Sequence, residues 1–393
     1  STGITVTGAV NGIPFFSDVP NQSMYTHDVS ATDVNAAQNS AYGFLALANV
    51  TTGDNNTAMG YLTGRFITTG AENTLIGSLA GDALTTGNYN VAVGRSALST
   101  SLDGDHNTAI GVYALEDYED GDGNGFNTAV GSQSQAQATT GEFNTSLGAS
   151  SMGVGVTTGD FNSAIGYKAL LNVTSGEKNT ALGGFSLANV STGSYNVSLG
   201  YNALGSANGS ESANVAIGFE SLSSLDAGGS NYNTAVGYNT GTAISTGVEN
   251  TLIGALAGDA LTTGVGNVAV GYEALTTEDA HGYNTAIGWR SLRALNAGAN
   301  GNNTAVGADA GLQMTSGIQN TIIGSLAGDA ITTGSNNIAI GYAALTTEDA
   351  HGRNVAIGYA ALNALNAGQD AYNIAVGYRA GVDISTGIKN VIL

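Results

Sequence analysis

A pentapeptide of the form Asn-Thr-Ala-Ile-Gly returns through almost the whole chain, and its spacing leaves few folds open. The first copy is Asn39-Ser40-Ala41-Tyr42-Gly43, and the asparagine recurs to give 21 copies, the last at Asn390. Of the 20 intervals between copies, 14 are 17 residues long and the others 18, 19 or 20. A short fixed period of this kind marks a solenoid, in which each repeat buries its apolar face only by stacking on its neighbours.

Each coil can be read from its asparagine as position 1. Position 2 is usually Thr or Val, position 3 usually Ala, position 4 aliphatic, and position 5 is Gly in every complete copy. Alternation with β-branched residues predicts a strand of four or five residues. The glycine should end it, by a positive φ or by close backbone approach. A second segment, often Tyr-x-Ala-Leu as at residues 167–170 and 201–204, reads as a second short strand. Some coils place Gly where the Leu would be (Gly64, Gly81, Gly241, Gly258, Gly311, Gly328, Gly381), each with an aliphatic or Met three residues later, which suggests that the apolar plug moves. Thr-Thr-Gly or a variant turns the chain back, with Gly at position 15 in 12 of the 14 coils of 17 residues; Gly282 and Gly352 come one place later.

The expected fold is therefore an all-β parallel β-solenoid of about 21 coils of 17–20 residues. With stacked coils about 4.8 Å apart it would form a rod on the order of 100 Å. The asparagine should form a ladder between coils, as in other stacked in-register strands. Asn56, Asn73, Asn90, Asn107, Asn162, Asn250, Asn267, Asn320 and Asn337 are the clearest candidates. A longer period of 70 residues overlies the short one: Asn250, Asn320 and Asn390 share their surroundings, and Ala-Leu-Thr-Thr-Glu-Asp-Ala-His-Gly occurs at both 274–282 and 344–352.

Residues 1–38 lack the repeat and are expected to be a cap or connector, leaving 39–393 as the shaft. The last motif stops at Asn390-Val391-Ile392-Leu393, so the chain is expected to continue. The start at Ser1, without a signal peptide, likewise suggests a processed or partial chain. With 9 Lys and Arg against 30 Asp and Glu, the net charge of −21 argues against a nucleic-acid backbone or an anionic membrane as partner. No apolar run approaches membrane-spanning length, so membrane insertion is not expected. Cysteine is absent, which excludes disulfides and thiolate metal sites.

The repeated strand is apolar or small on both faces, a pattern of strands covered on both sides. One face can point into the coil. The other needs a partner, and the small Ala would allow close approach. Periodicity leaves a trimer, a dimer and a shielded monomer open. The coil Asn-Val-Ala-Ile-Gly-Tyr-Ala-Ala-Leu (354–362) resembles the head repeats of trimeric autotransporter adhesins. Asn-Thr-Ala-Val-Gly-Tyr with Thr-Thr-Gly is closer still to the shaft repeats of bacteriophage tail-fibre proteins, often from marine phages. The opening Gly-Ile-Thr-Val-Thr-Gly-Ala-Val is similar to segments that precede such repeats. The resemblance covers 39–393 and implies a left-handed β-roll, a homotrimeric fibre, and in many members a following endosialidase-type chaperone. The coil here is longer than in the adhesin heads.

Chemical motifs are sparse. His281 and His351 occupy equivalent Glu-Asp-Ala-His segments, which reads as one copied surface loop; His27 and His106 stand apart. Paired carboxylates of the glycan-cleaving kind do not break the repeat. The local metal signal is Asp120, Asp122 and Asn124, in Asp-Gly-Asp-Gly-Asn-Gly within the 20-residue interval. It matches half of a calcium loop, but Gly131 stands where the bidentate Glu belongs, so an acidic turn is expected and calcium is the one cofactor to consider. The Thr-Thr-Gly series could present a threonine array, and the aromatics after the strand glycine (Tyr61, Tyr167, Phe219, Tyr238, Trp289, Tyr359, Tyr378) are expected to wedge between coils or chains. The expected protein is a non-enzymatic shaft of a phage tail fibre or related adhesive fibre, in a virion or outside the cell. Its partners would be its own trimer, other fibre proteins, and a cell-surface glycan or protein receptor. The head of a bacterial trimeric adhesin and a glycan-cleaving tailspike are the alternatives.

Overall fold

The computed structural model describes residues 5–10, 13–18, 22–26, 35–119, 124–207 and 209–393, the first two segments as backbone only. The chain forms two units, residues 1–195 and 196–393. Unit 1 opens with β1 (Thr5–Val10) and β2 (Ile13–Asp18), an antiparallel pair. Next, β3 (Ser23–Tyr25) runs antiparallel to β2 and parallel to β4 (Ser40–Tyr42), the first strand of the stack. Nine parallel strands follow in unit 1, from β4 to β12 (Thr180–Leu182), and twelve in unit 2, from β13 (Val197–Leu199) to β24 (Val391–Ile392). Both units are parallel β-solenoids, and no helix occurs among the described residues.

The register follows the repeat without slippage: Ser40, Ala41 and Tyr42 pair with Thr57, Ala58 and Met59. Several sequence expectations need correction. Each coil carries a single strand of three residues, followed by a series of turns instead of a second strand. The cause is backbone conformation at positions 7 and 9. Leu45 (φ 55°) and Leu47 (φ 54°) are left-handed, as are Leu62 (φ 57°) and Gly64 (φ 55°) in the next coil. Alternate left-handed residues cannot extend a strand. For a leucine this conformation is disfavoured by sterics, so the stacking of coils must hold it in place.

The strand is also oriented opposite to the expectation that the small Ala faces a partner. The central residue is buried and its neighbours are not, as in Thr57-Ala58-Met59. Alanine at position 3 points into the coil, and the aliphatic residue at position 4 points out. The position 5 glycine is required twice over: Gly60 has φ 144°, and a Cβ on it would lie 2.5 Å from the Gly77 carbonyl oxygen.

Position 12 is interior in every kind of coil, so the plug does not move. Val50, Val173 and Leu225 are buried there beside Leu47, Leu170 and Leu222, just as Ile67, Leu84 and Ile244 are buried in the coils with Gly at position 9. The missing volume at position 9 is filled instead by position 3. A Cβ on Gly64 or Gly81 would lie 2.7 or 2.9 Å from a methyl of Leu75, which replaces the usual Ala. Leu252 lies between Gly241 and Gly258 in the same way, and Ile322 between Gly311 and Gly328. A polar core replaces this packing around Ser134: Ser134, Ser146, Ser151 and Gln135 are fully buried and joined by hydrogen bonds.

Candidate functional site

Three columns and one recurrent turn hold the polar and aromatic side chains that could act. The first column is the asparagine ladder, and Asn56 shows its full pattern. Its backbone N–H donates to Oδ1 of Asn39 (2.8 Å), and its Nδ2 donates to the carbonyl of Gly70 (2.9 Å), the turn glycine of the same coil. Its own Oδ1 accepts the backbone N–H (3.1 Å) and Nδ2 (3.0 Å) of Asn73. One side chain thus closes its coil and joins it to the next. Asn73 repeats the arrangement, and Asn90, Asn250 and Asn320 do so except that their Oδ1 accepts only the backbone N–H of the next asparagine. Asn162 donates to Gly176, and the Asn107 backbone to Asn90. The ladder residues named here are buried, which is tolerable for an amide only with such partners; the Nδ2 of Asn107 is the exception and has none among the described residues.

Asn267 and Asn337 differ in one respect. Their Nδ2 atoms donate to the carbonyls of His281 (3.0 Å) and His351 (3.3 Å), which take position 15 from glycine. This accounts for the displaced Gly282 and Gly352. In each of these turns a glutamate occupies interior position 12: Glu278 and Glu348 have fully buried side chains. Glu278 Oε1 accepts the His281 backbone N–H (3.1 Å) and lies 3.2 Å from His281 Nδ1; Oε2 accepts the N–H of Ala297 (3.1 Å). Glu348 makes the same set with His351 and Ala367. Burial pushes the Glu348 carboxyl above the ordinary glutamate range, against the lowering effect of its hydrogen bonds and of His351.

The second and third columns are aromatic. The position 6 rings stack coil on coil, as Tyr201, Phe219 and Tyr238 do (5.7 and 5.5 Å, planes 14° apart), and as Tyr342, Tyr359 and Tyr378 do. Tyr61 stacks on Phe44, and Tyr167 meets Phe185 edge to face. Trp289 carries the Arg290 guanidinium over its ring at 3.9 Å. Sequence reasoning missed the other column, at the last position of the coil, immediately before the next asparagine. There Tyr89, His106, Phe126, Phe143 and Phe161 form a continuous stack with centroids 4.7–5.2 Å apart. The recurrence of an aromatic just before the asparagine was the signal for it. Within each stacked run the rings turn their faces to one another, so an inner ring such as Phe219 or Phe143 has no open face on which a sugar could stack.

The remaining sequence candidates are placed as follows. Asp120 and Asp122 lie outside the described residues, as does His27. Asn124 is exposed, and its carbonyl accepts the hydroxyl of buried Tyr118 (2.8 Å). The first Thr of Thr-Thr-Gly is tied to the backbone of the following coil, with Thr51 Oγ1 donating to the Thr68 carbonyl and Thr68 Oγ1 to that of Thr85. Such hydroxyls are not free to form an array.

Three aspartates at position 10 are strained electrostatically. Asp82, Asp259 and Asp329 each have a buried Oδ1 without a partner, and burial raises the pKa of all three. Arg65 offsets this at Asp82 (3.2 Å), whereas Glu273 adds repulsion at Asp259 and Asp309 at Asp329. Among the described residues no helix is long and apolar enough to cross a membrane. No protein-family model matches the chain, and no curated protein matches it.

Proposed function

We propose that this chain is the structural shaft of a homotrimeric fibre, a phage tail fibre or related adhesive fibre, whose work is to carry a binding tip. The observation that supports this most is the outward column at position 4. Met59, Ile76, Ile110, Leu147, Ile165 and Leu182 are exposed in unit 1, and Leu199, Ile253, Ile287 and Ile323 in unit 2. An apolar column repeated coil after coil is larger than the isolated patches a monomer usually exposes, and it calls for a protein partner. A second and third copy of the chain offer the same column in the same repeat. Left-handed winding and a location in a virion or outside the cell belong to the same reading, by the likeness of the repeats to tail-fibre shafts. The ladder side chains are engaged within the stack, which suits a load-bearing part more than a catalytic one. Sedimentation velocity with light scattering on the full chain tests the proposal. An elongated trimer is expected, and a monomer would overturn it.

A further inference from the structure

Glu278 and Glu348 put a carboxylate where other coils bury Leu261 or Ile331. A buried anion normally has a fixed cation or a metal beside it. Among the described residues the one basic group bonded to either carboxylate is an imidazole, His281 or His351. The third group is Asp279 or Asp349, exposed on the rim of the turn, and in each turn one ligand atom from each of the three residues lies within 4.8 Å of the other two.

We propose that each Glu-Asp-Ala-His turn binds one divalent transition ion of the zinc class. The Oε1 to Nδ1 separations of 3.2 and 3.3 Å suit two ligands of a single ion, each at roughly 2.0–2.2 Å. The ion would displace the hydrogen from between these atoms, and the neutral imidazole would then carry its one N–H on Nε2. Asp279 or Asp349 would supply a third ligand and water the remaining position. Two carboxylates neutralise the doubly charged ion. The imidazole selects zinc, nickel or copper over magnesium and calcium, which prefer oxygen alone. Oε2 keeps its bond to the Ala297 or Ala367 backbone, so binding does not require the coil to open. Both histidines are about a quarter exposed, which gives the ion a route in.

The test is calorimetric titration of the full chain with Zn2+ in excess Mg2+, which saturates non-specific carboxylate binding. Two sites per chain are expected. His281→Gln or His351→Gln, which retains a donor toward the glutamate, should leave one site, and the double variant none. Cobalt provides an independent readout, as a visible absorption band in the wild type that is absent from the double variant. Zn2+ stoichiometry equal in the wild type and the double variant, or no saturable binding in the wild type, would overturn the proposal. A variant that loses its circular dichroism is replaced by Asp279→Asn with Asp349→Asn, for which at least tenfold weaker binding is expected and unchanged affinity would count against the site.

Discussion

Leu75 occupies the space that Gly64 leaves: a Cβ on the glycine would lie 2.7 Å from the leucine Cδ1. Position 9 accepts leucine elsewhere in the same left-handed conformation, as at Leu47, so the conflict is one of volume. Leu75→Ala should cost about 2–5 kcal/mol as a cavity, and Gly64→Leu should cost about 1–3 kcal/mol by overpacking. The double variant should be less destabilised than the sum of the two. Chemical denaturation of all four proteins checks this, and strict additivity would contradict the packing described.

Replacing a ladder asparagine breaks a coil closure and a coil-to-coil bond together. For Asn250→Ala the partners left behind are the Gly264 carbonyl and the Asn267 backbone N–H. Loss of roughly 1–3 kcal/mol per chain is expected for each buried group left unpaired. Faster hydrogen exchange at the Asn267 amide would localise the damage.

The outward column gives a separate prediction. Ile253→Asp with Ile287→Asp should leave the coil intact, since both side chains point away from its interior. Circular dichroism should be unchanged while the sedimenting species falls from trimer to monomer.

Asp259 and Asp329 make stability depend on pH in an unusual direction. Their folded pKa values lie above the ordinary 3.8, so the folded chain binds protons more tightly than the unfolded one. Their contribution is fully present below 3.8 and is lost as pH rises through the raised values. Asp259→Asn with Asp329→Asn should therefore be more stable than the wild type at neutral pH. The gap in melting temperature should close as pH falls toward 3.8. A gap that widened on acidification would reverse the assignment.

Phe143 sits between Phe126 and Phe161 at 5.2 and 5.0 Å. Each such contact contributes about 0.5–1.5 kcal/mol beyond burial. Phe143→Ala should thus destabilise unit 1 by roughly 1–3 kcal/mol, measured by thermal unfolding, whereas Phe143→Tyr should be nearly neutral.

What could be read from the sequence was whatever repeats through a hydrogen bond or a steric limit. Asn56 and Gly60 recur because no other residue makes those contacts, and their spacing announced the solenoid. Hydropathy could not say which side of Thr57-Ala58-Met59 faces inward, because both sides are apolar or small. The turns after Gly43 read as a strand because Leu45 and Leu47 adopt a conformation that leucine disfavours, which only neighbouring coils impose. The move of bulk from position 9 to position 3 joins residues 11 apart in sequence, Gly64 and Leu75, across adjacent coils, and no single-coil pattern displays it. The Glu278 turn looked like a copied surface loop because its glutamate falls on an interior position only once the coil is wound.

The exchange of volume between Gly64 and Leu75 also governs how such a chain can lengthen or shorten. Excising residues 56–72 would keep every asparagine in phase, yet Leu75 would then be pressed against Leu47. Where glycine stands at position 9, a lineage can gain or lose coils safely only in blocks that carry the glycine coil together with its bulky successor. The 70-residue period is such a block, a word that can be copied whole but not spelled out one letter at a time.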